Sequence, residues 1–217
     1  MLVIANNITT RNAQVDQQLR RWKEGAEAGA CSPAEVLEEM ARQCVKAGAD
    51  ILEINIQQHH DRPEVMEFAV KAVQQVTDRQ LCLSSNNPEA LEAGLRICKR
   101  PPLVDYVSVE EARLRQVLPL VARHGADVVL LITDPAALTD AQGMLKKAAV
   151  LVGAANESGI ANRSILIDPG LLHVTSEAGQ RHLVEVAEFL RALPEIFDPP
   201  VGSTCWLSNS SALAPWR

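Results

Sequence analysis

The chain has 217 residues, 47% of them hydrophobic, enough to bury a full core without a metal or disulfide staple. A formal charge of −6, a pI near 5.4 and only 3% aromatic residues offer neither a basic field for a phosphate backbone nor a base-stacking platform, which excludes nucleic acid as an expected partner. The five cysteines (31, 44, 82, 98, 205) are scattered, odd in number and without CxxC spacing, a pattern of reduced thiols that points to the cytoplasm.

In chain order, Met1-Leu-Val-Ile-Ala-Asn-Asn7 lacks a basic start and a long apolar run, so it reads as a first strand near 2–5 rather than a signal peptide. No later run approaches a membrane span. The polar stretch from Arg11 to Cys31 reads as a long first loop with some helix. Ser32-Pro33-Ala-Glu35 then starts a helix over 33–47, Asp61-Arg-Pro63-Glu64 one over 63–77, and Asn87-Pro88-Glu89 one over 88–98, each with proline in the first turn and acids at the positive dipole end. Strands fall near 50–55, 80–84, 103–107, 127–132, 164–168 and 201–207, and further helices near 109–123, 139–158 and 174–192.

A recurring junction ties these together. Gly48-Ala-Asp50 precedes Ile51-Leu-Glu-Ile-Asn55, Gly125-Ala-Asp127 precedes Val128-Val-Leu-Leu-Ile132, and Gly159-Ile160 comes shortly before Ile165-Leu-Ile167. Glycine past an apolar-periodic stretch is a helix stop, and the short apolar run after it is a buried parallel strand. Helices alternating with strands in this way predict an α/β fold of the TIM (β/α)8 barrel type, as one domain over 1–217. The count is one βα unit short of such a barrel, which needs about 250 residues. Open edges on the first and last strands would then favour self-association into a homo-oligomer.

Three of the predicted strands end in polar clusters: Ser84-Ser85-Asn86-Asn87, Asp168-Pro169-Gly170 and Ser208-Asn209-Ser210-Ser211. The carboxyl ends of strands are where a barrel places its ligand site, since helices cover the flanks. Asp168 leaves its strand at that mouth and can accept two hydrogen bonds from an amidine-like edge; the competing reading is an Asp that initiates a turn before Pro-Gly. Asn209 either donates an amide N–H to a ligand or caps a helix. Asn55 and Glu53 alternate along their strand and share one face, as a structural polar layer or as ligand contacts. Ser84 contributes a hydroxyl to the rim, Asn87 before Pro88 fits a helix cap, and Asp105 reaches the pocket or faces water.

His59-His60-Asp61 has no partner at metal-ligand spacing and reads as a loop before a helix, so no bound metal is expected. GxGxxG, GxxxxGK[ST] and GxSxG are all absent, which removes the usual support for Rossmann, P-loop and hydrolase chemistry. Cys82 lies within a strand and reads as packing.

Taken in order, Leu81-Cys-Leu-Ser-Ser-Asn-Asn87, Pro88-Glu-Ala-Leu-Glu-Ala-Gly-Leu95, Val104-Asp-Tyr-Val-Ser-Val-Glu110, Leu118-Pro-Leu-Val-Ala-Arg-His-Gly125, Ile165-Leu-Ile-Asp-Pro169 and Leu207-Ser-Asn-Ser210 resemble the pterin-binding barrel family. Within it the chain is more similar to the methyltetrahydrofolate:corrinoid protein methyltransferases than to dihydropteroate synthases, whose N-x-T-x-D-S-F start and late S-x-R have no counterpart. The resemblance implies methyl transfer from N5 of methyltetrahydrofolate to the cobalt of a corrinoid on a partner protein. It gives Asn209 the catalytic contact to N5, and Asp168, Asp105, Asn55, Ser84 and Asn87 the pterin.

Two positions depart from the family pattern: Ser84 stands where C-L-D-S has Asp, and Asp105 where I-N-S has Asn. Losing the first carboxylate removes a charge-assisted contact of roughly 1.5–3 kcal/mol. Asp105 offers that charge from the next strand. The N-terminal Ala5-Asn-Asn-Ile-Thr9 also departs from the family's G-E-R-x-N. A non-catalytic or altered-specificity pterin-binding scaffold of the same fold is the alternative.

Overall fold

The computed structural model describes residues 1–25, 31–57, 61–134 and 137–211. His59, His60 and the final segment from residue 212 therefore lie outside the described residues. The chain forms two compact units, Met1–Asp105 and Tyr106–Arg217.

The first unit contains β1 (Ile4–Thr9), α1 (Ala13–Lys23), α2 (Pro33–Lys46), β2 (Ile51–Asn55), α3 (Pro63–Gln74), β3 (Gln80–Ser84) and α4 (Pro88–Ile97), and it ends within β4 (Leu103–Val107). Each strand pairs in parallel with the next in chain order. Local chemistry accounts for the starts of the helices. Ser32 and Glu35 form a reciprocal capping box around Pro33, and Asn87 Oδ1 accepts from Glu89 N at 3.0 Å ahead of Pro88.

Between helices and strands lies a dry layer. Leu52, Ile54, Leu83 and Val104 point to one face of the ladder and are fully buried, as are Val65, Met66, Val70 and Val73 of α3 and Leu91 of α4. A Cβ at Gly94 of α4 would stand 2.8 Å from both Leu83 Cδ1 and Met66 Cγ, so glycine is what lets α4 sit this close to β3 and α3. Trp22 of α1 stacks on Phe68 of α3 with ring centroids 4.5 Å apart.

The second unit contains α5 (Glu111–His124), β5 (Asp127–Leu131), α6 (Ala141–Glu157), β6 (Ile165–Asp168), α7 (Glu177–Ala192), β7 (Gly202–Ser203) and α8 (Leu207–Ser211), with β5, β6 and β7 paired in parallel. The glycines of all three sequence junctions adopt positive φ: 98° at Gly48, 60° at Gly125 and 90° at Gly159.

Two expectations change and one, the helix within the first loop, is sharpened. The first strand runs from Ile4 to Thr9 rather than 2–5, because an irregularity between Ala5 and Ile8 carries it past the two asparagines to pair Thr9 with Asn55. The Arg11–Cys31 stretch holds an eleven-residue helix, capped by Asn12 Oδ1 accepting from Gln14 N. The strand expected over 201–207 is only Gly202–Ser203. Thr204 N still donates to Ile167 O at 2.9 Å, but the chain then turns into α8, where Asn209 N donates back to Trp206 O at 3.1 Å. Asn209 therefore lies in a short helix and not at a strand end.

Candidate functional site

In the first unit, strand register builds a polar tier. Thr9 pairs with Asn55, Asn55 with Ser84 and Ser84 with Asp105, so one residue from each of four strands occupies the same level. Parallel neighbours in register point to the same face, and that face is opposite to Leu52, Ile54, Leu83 and Val104. Two residues earlier on β2, Glu53 lies on the same face one level deeper, beside Cys82. Ser84 is 0% exposed, Glu53 1% and Asp105 4%.

The hydrogen bonds of the tier are specific. Asn55 Nδ2 donates to Glu53 Oε1 at 3.1 Å, and Asn55 Oδ1 accepts from Gln57 N at 3.2 Å. Gln57 Nε2 donates to Ser84 Oγ at 2.9 Å. Burial, and after it the charge of Asp105, pushes the Glu53 carboxyl up to about 8, against the pull of the Asn55 bond, the Arg11 charge and the Ser84 bond. Burial, then Asp105 and Glu53, also pushes the Cys82 thiol well above its ordinary value, so it is no nucleophile.

Above the tier, Asp61 fastens the loop after β3. Its carboxylate accepts from Ser85 Oγ and from Asn86 N at 3.1 Å, and its backbone carbonyl accepts from Asn87 Nδ2 at 3.1 Å. Asn87 thus divides its amide between this brace and the cap of α4. Arg62, at the start of α3, makes no side-chain cap bond, since a guanidinium has no acceptor to offer the first-turn N–H groups.

In the second unit, Asp168 ends β6 level with Leu131 and is 3% exposed. Gly170 N donates to Asp168 Oδ1 at 2.8 Å. Burial raises the Asp168 carboxyl to about 6 while the Gly170 bond holds it down, so it remains mostly ionised at neutral pH. The turn that carries it is braced twice: Thr133 Oγ donates to Pro169 O, and His182 Nε2 on α7 donates to Gly170 O at 2.7 Å. Gly170 has φ 67°, and a Cβ there would meet Thr133 Cβ at 2.7 Å.

The chain after β7 comes within electrostatic reach of Asp168, whose charge adds to burial in pushing the Cys205 thiol up to about 11. Asn209, exposed on α8, follows four residues later and donates its backbone N–H to Trp206 O at 3.1 Å. The structure therefore brings Asn55, Ser84 and Asp105 together in one tier and sets Asp168 on a braced turn. Gln57, Asp61 and His182 complete these arrangements. None of the three stands at a strand end, which is the signal that singled out the others.

Among the described residues no group of His, Cys, Asp or Glu is arranged to hold a metal ion, and no helix is long and apolar enough to cross a membrane. What the two arrangements share is hydrogen-bonding capacity for a polar planar edge, with carboxyl groups held in dry surroundings.

Comparison with known proteins adds four findings. The family described as pterin binding enzymes matches residues 27–213. The methylcorrinoid:tetrahydrofolate methyltransferase of Eubacterium limosum is 27% identical over 157 residues, a match that spans 71% of this chain but only 57% of that protein. Among solved structures, the dihydropteroate synthase of Thermus thermophilus superposes with a TM-score of 0.60 at 20% identity, over 100% of this chain and 75% of that one. The Xanthomonas albilineans enzyme, solved with 7,8-dihydropteroate, gives 0.62 at 17% identity, over 100% and 76%. The fold is accordingly the α/β barrel type of these synthases.

Proposed function

We propose that this chain, which belongs to the pterin-binding enzyme family, binds a reduced folate and moves a methyl group between its N5 and the cobalt of a corrinoid carried by a partner protein. The observation that carries the reading is Asp168: a buried carboxylate on a braced turn that accepts, among the described residues, one backbone N–H on Oδ1. The 2-amino and ring N–H groups of a pterin form the two-donor edge that such a carboxylate accepts. In this reading Asn55, Ser84 and Asp105 contact the ring, Asn87 orders the rim and Asn209 contacts N5.

The chemistry fixes what these residues must do. In transfer toward the folate, the N5 lone pair forms a bond to the methyl carbon as the cobalt–carbon bond breaks, both bonding electrons stay on cobalt, and N5 loses its proton. In the opposite direction cobalt(I) attacks the methyl group, and N5 must gain a proton or a hydrogen bond to leave. The Asn209 amide can stabilise that change of charge, but an amide cannot supply the proton. Binding, orientation and exclusion of water are the protein's remaining contributions.

Ser84 favours a second reading, altered pterin specificity without methyl transfer. Its hydroxyl is engaged by Gln57 and Glu53 at the position where the resemblance implies an Asp. One assay separates the two: methyl exchange between tetrahydrofolate and free methylcobalamin, followed by the cobalt absorption spectrum. Turnover dependent on the protein supports methyl transfer. Pterin binding without turnover supports the second reading, and the absence of both rejects each.

A further inference from the structure

Two carboxyl groups lie on one face of the β2–β3–β4 ladder in adjacent tiers, Asp105 level with Asn55 and Ser84, and Glu53 one level below. Both are buried. The hydrogen bonds that reach Glu53 come from neutral groups, the Asn55 amide and the Ser84 hydroxyl. Its other oxygen, Oε2, is buried without a hydrogen-bond partner among the described residues.

An anionic oxygen in that position would forfeit its hydration and gain nothing, whereas a carboxylic acid places an O–H there, ready for an acceptor. Among the described residues, the charged and titratable groups facing Glu53 are Asp105 from β4, Cys82 from β3 and Arg11 beyond β1. Cys82 stays a neutral thiol. Arg11 is exposed, and its influence is smaller than that of Asp105.

We propose that Glu53 and Asp105 carry a single negative charge between them at neutral pH, with the proton on Glu53, and that this half-protonated pair is the form that binds the pterin ring. The second clause rests on the proposed function; the first does not. A half-protonated pair offers a donor beside an acceptor, which matches a ring edge carrying an N–H next to a lone pair. Two carboxylates would offer acceptors only and repel each other. Glu53 thereby becomes a specificity-determining residue, and the Asn-to-Asp departure at Asp105 acquires a role: its charge adds to burial in keeping the proton on its neighbour.

Infrared difference spectra of the ligand-free wild-type protein, over a pH series bracketing 8, read the C=O stretch of a protonated carboxylic acid. Calorimetry with tetrahydrofolate over the same series reads affinity. The expected result is an acid band that disappears with a midpoint near 8 and is missing in Glu53→Gln. Wild-type affinity should fall about tenfold for each pH unit above that midpoint, while Glu53→Gln, which keeps a neutral N–H donor, should show a flat profile.

The absence of an acid band titrating above neutrality in wild type overturns the proposal, as does an unchanged pH slope in Glu53→Gln. The wild-type spectra decide the first clause whether or not the variant folds. An acid band that behaves as expected beside no tetrahydrofolate binding at any pH would establish the proton on Glu53 and refute both the pterin-binding clause and the proposed function.

Discussion

Glu53 and Asp168 are both buried carboxyls on parallel strands, and for both burial is the strongest influence, yet their neighbours send them to opposite sides of neutrality. Asp168 receives a backbone N–H from Gly170 and settles near 6, an acceptor at neutral pH. Glu53 has a second acid nearby and, among the described residues, no backbone donor, and settles near 8 as a donor. One carboxyl chemistry thus supplies both hydrogen-bonding polarities: burial raises both groups, and their different neighbours add to that rise in one and oppose it in the other.

The largest test of that contrast is the pH dependence of stability. A carboxyl raised on folding contributes fully below its unfolded value and loses that contribution as pH rises through the folded one. For Glu53 the loss runs from 4.5 to about 8, and for Asp168 from 3.8 to about 6. At roughly 1.4 kcal/mol per unit, Glu53→Gln should recover a few kcal/mol at pH 8 and Asp168→Asn somewhat less. Urea unfolding across this window should show the Asp168→Asn gain complete near 6 and the Glu53→Gln gain still growing to 8. Parallel curves for the two variants would erase the contrast.

A smaller effect comes from the brace behind Asp168. Gly170→Ala forces a side chain into positive φ against Thr133 and should cost about 1–3 kcal/mol in thermal unfolding, together with folate affinity. His182→Leu removes the donor to Gly170 O and should cost about 1–3 kcal/mol by leaving that carbonyl unpaired, whereas His182→Gln, if its amide reaches Gly170 O, should cost less. Equal losses in the two His182 variants would mean that packing, and not the hydrogen bond, holds the turn.

The smallest effect is on thiol reactivity. Exposed Cys31 should react with a thiol reagent at pH 8 well before Cys82 and Cys205, both held protonated by burial and a nearby acid. Rapid labelling of Cys205 would place it outside the field of Asp168.

Much of the fold was legible because its signals are local. Ser32-Pro33-Ala-Glu35 formed the expected capping box, glycine marked all three helix stops, and the strands at Gln80–Ser84 and Leu103–Val107 ran over the expected residues. What the local pattern missed depended on partners distant in sequence. The short β7 gives way to α8 after one further bond to Ile167, and no nearby residue announces that stop. Asp61, two residues before Pro63, looks like part of a helix start but serves Ser85 and Asn86, more than twenty residues on. Glu53 and Asp105 were each legible as acids at strand positions, but their influence on each other follows from register across β3, which composition and spacing do not encode.

Calorimetric titration of tetrahydrofolate into wild type and Asp168→Asn at neutral pH tests the central claim most directly. The account predicts saturable binding to wild type and a roughly 10–100-fold weaker affinity in the variant, the worth of a charge-assisted pair of hydrogen bonds. No heat from wild type at millimolar ligand, or equal affinities in the two proteins, would contradict it.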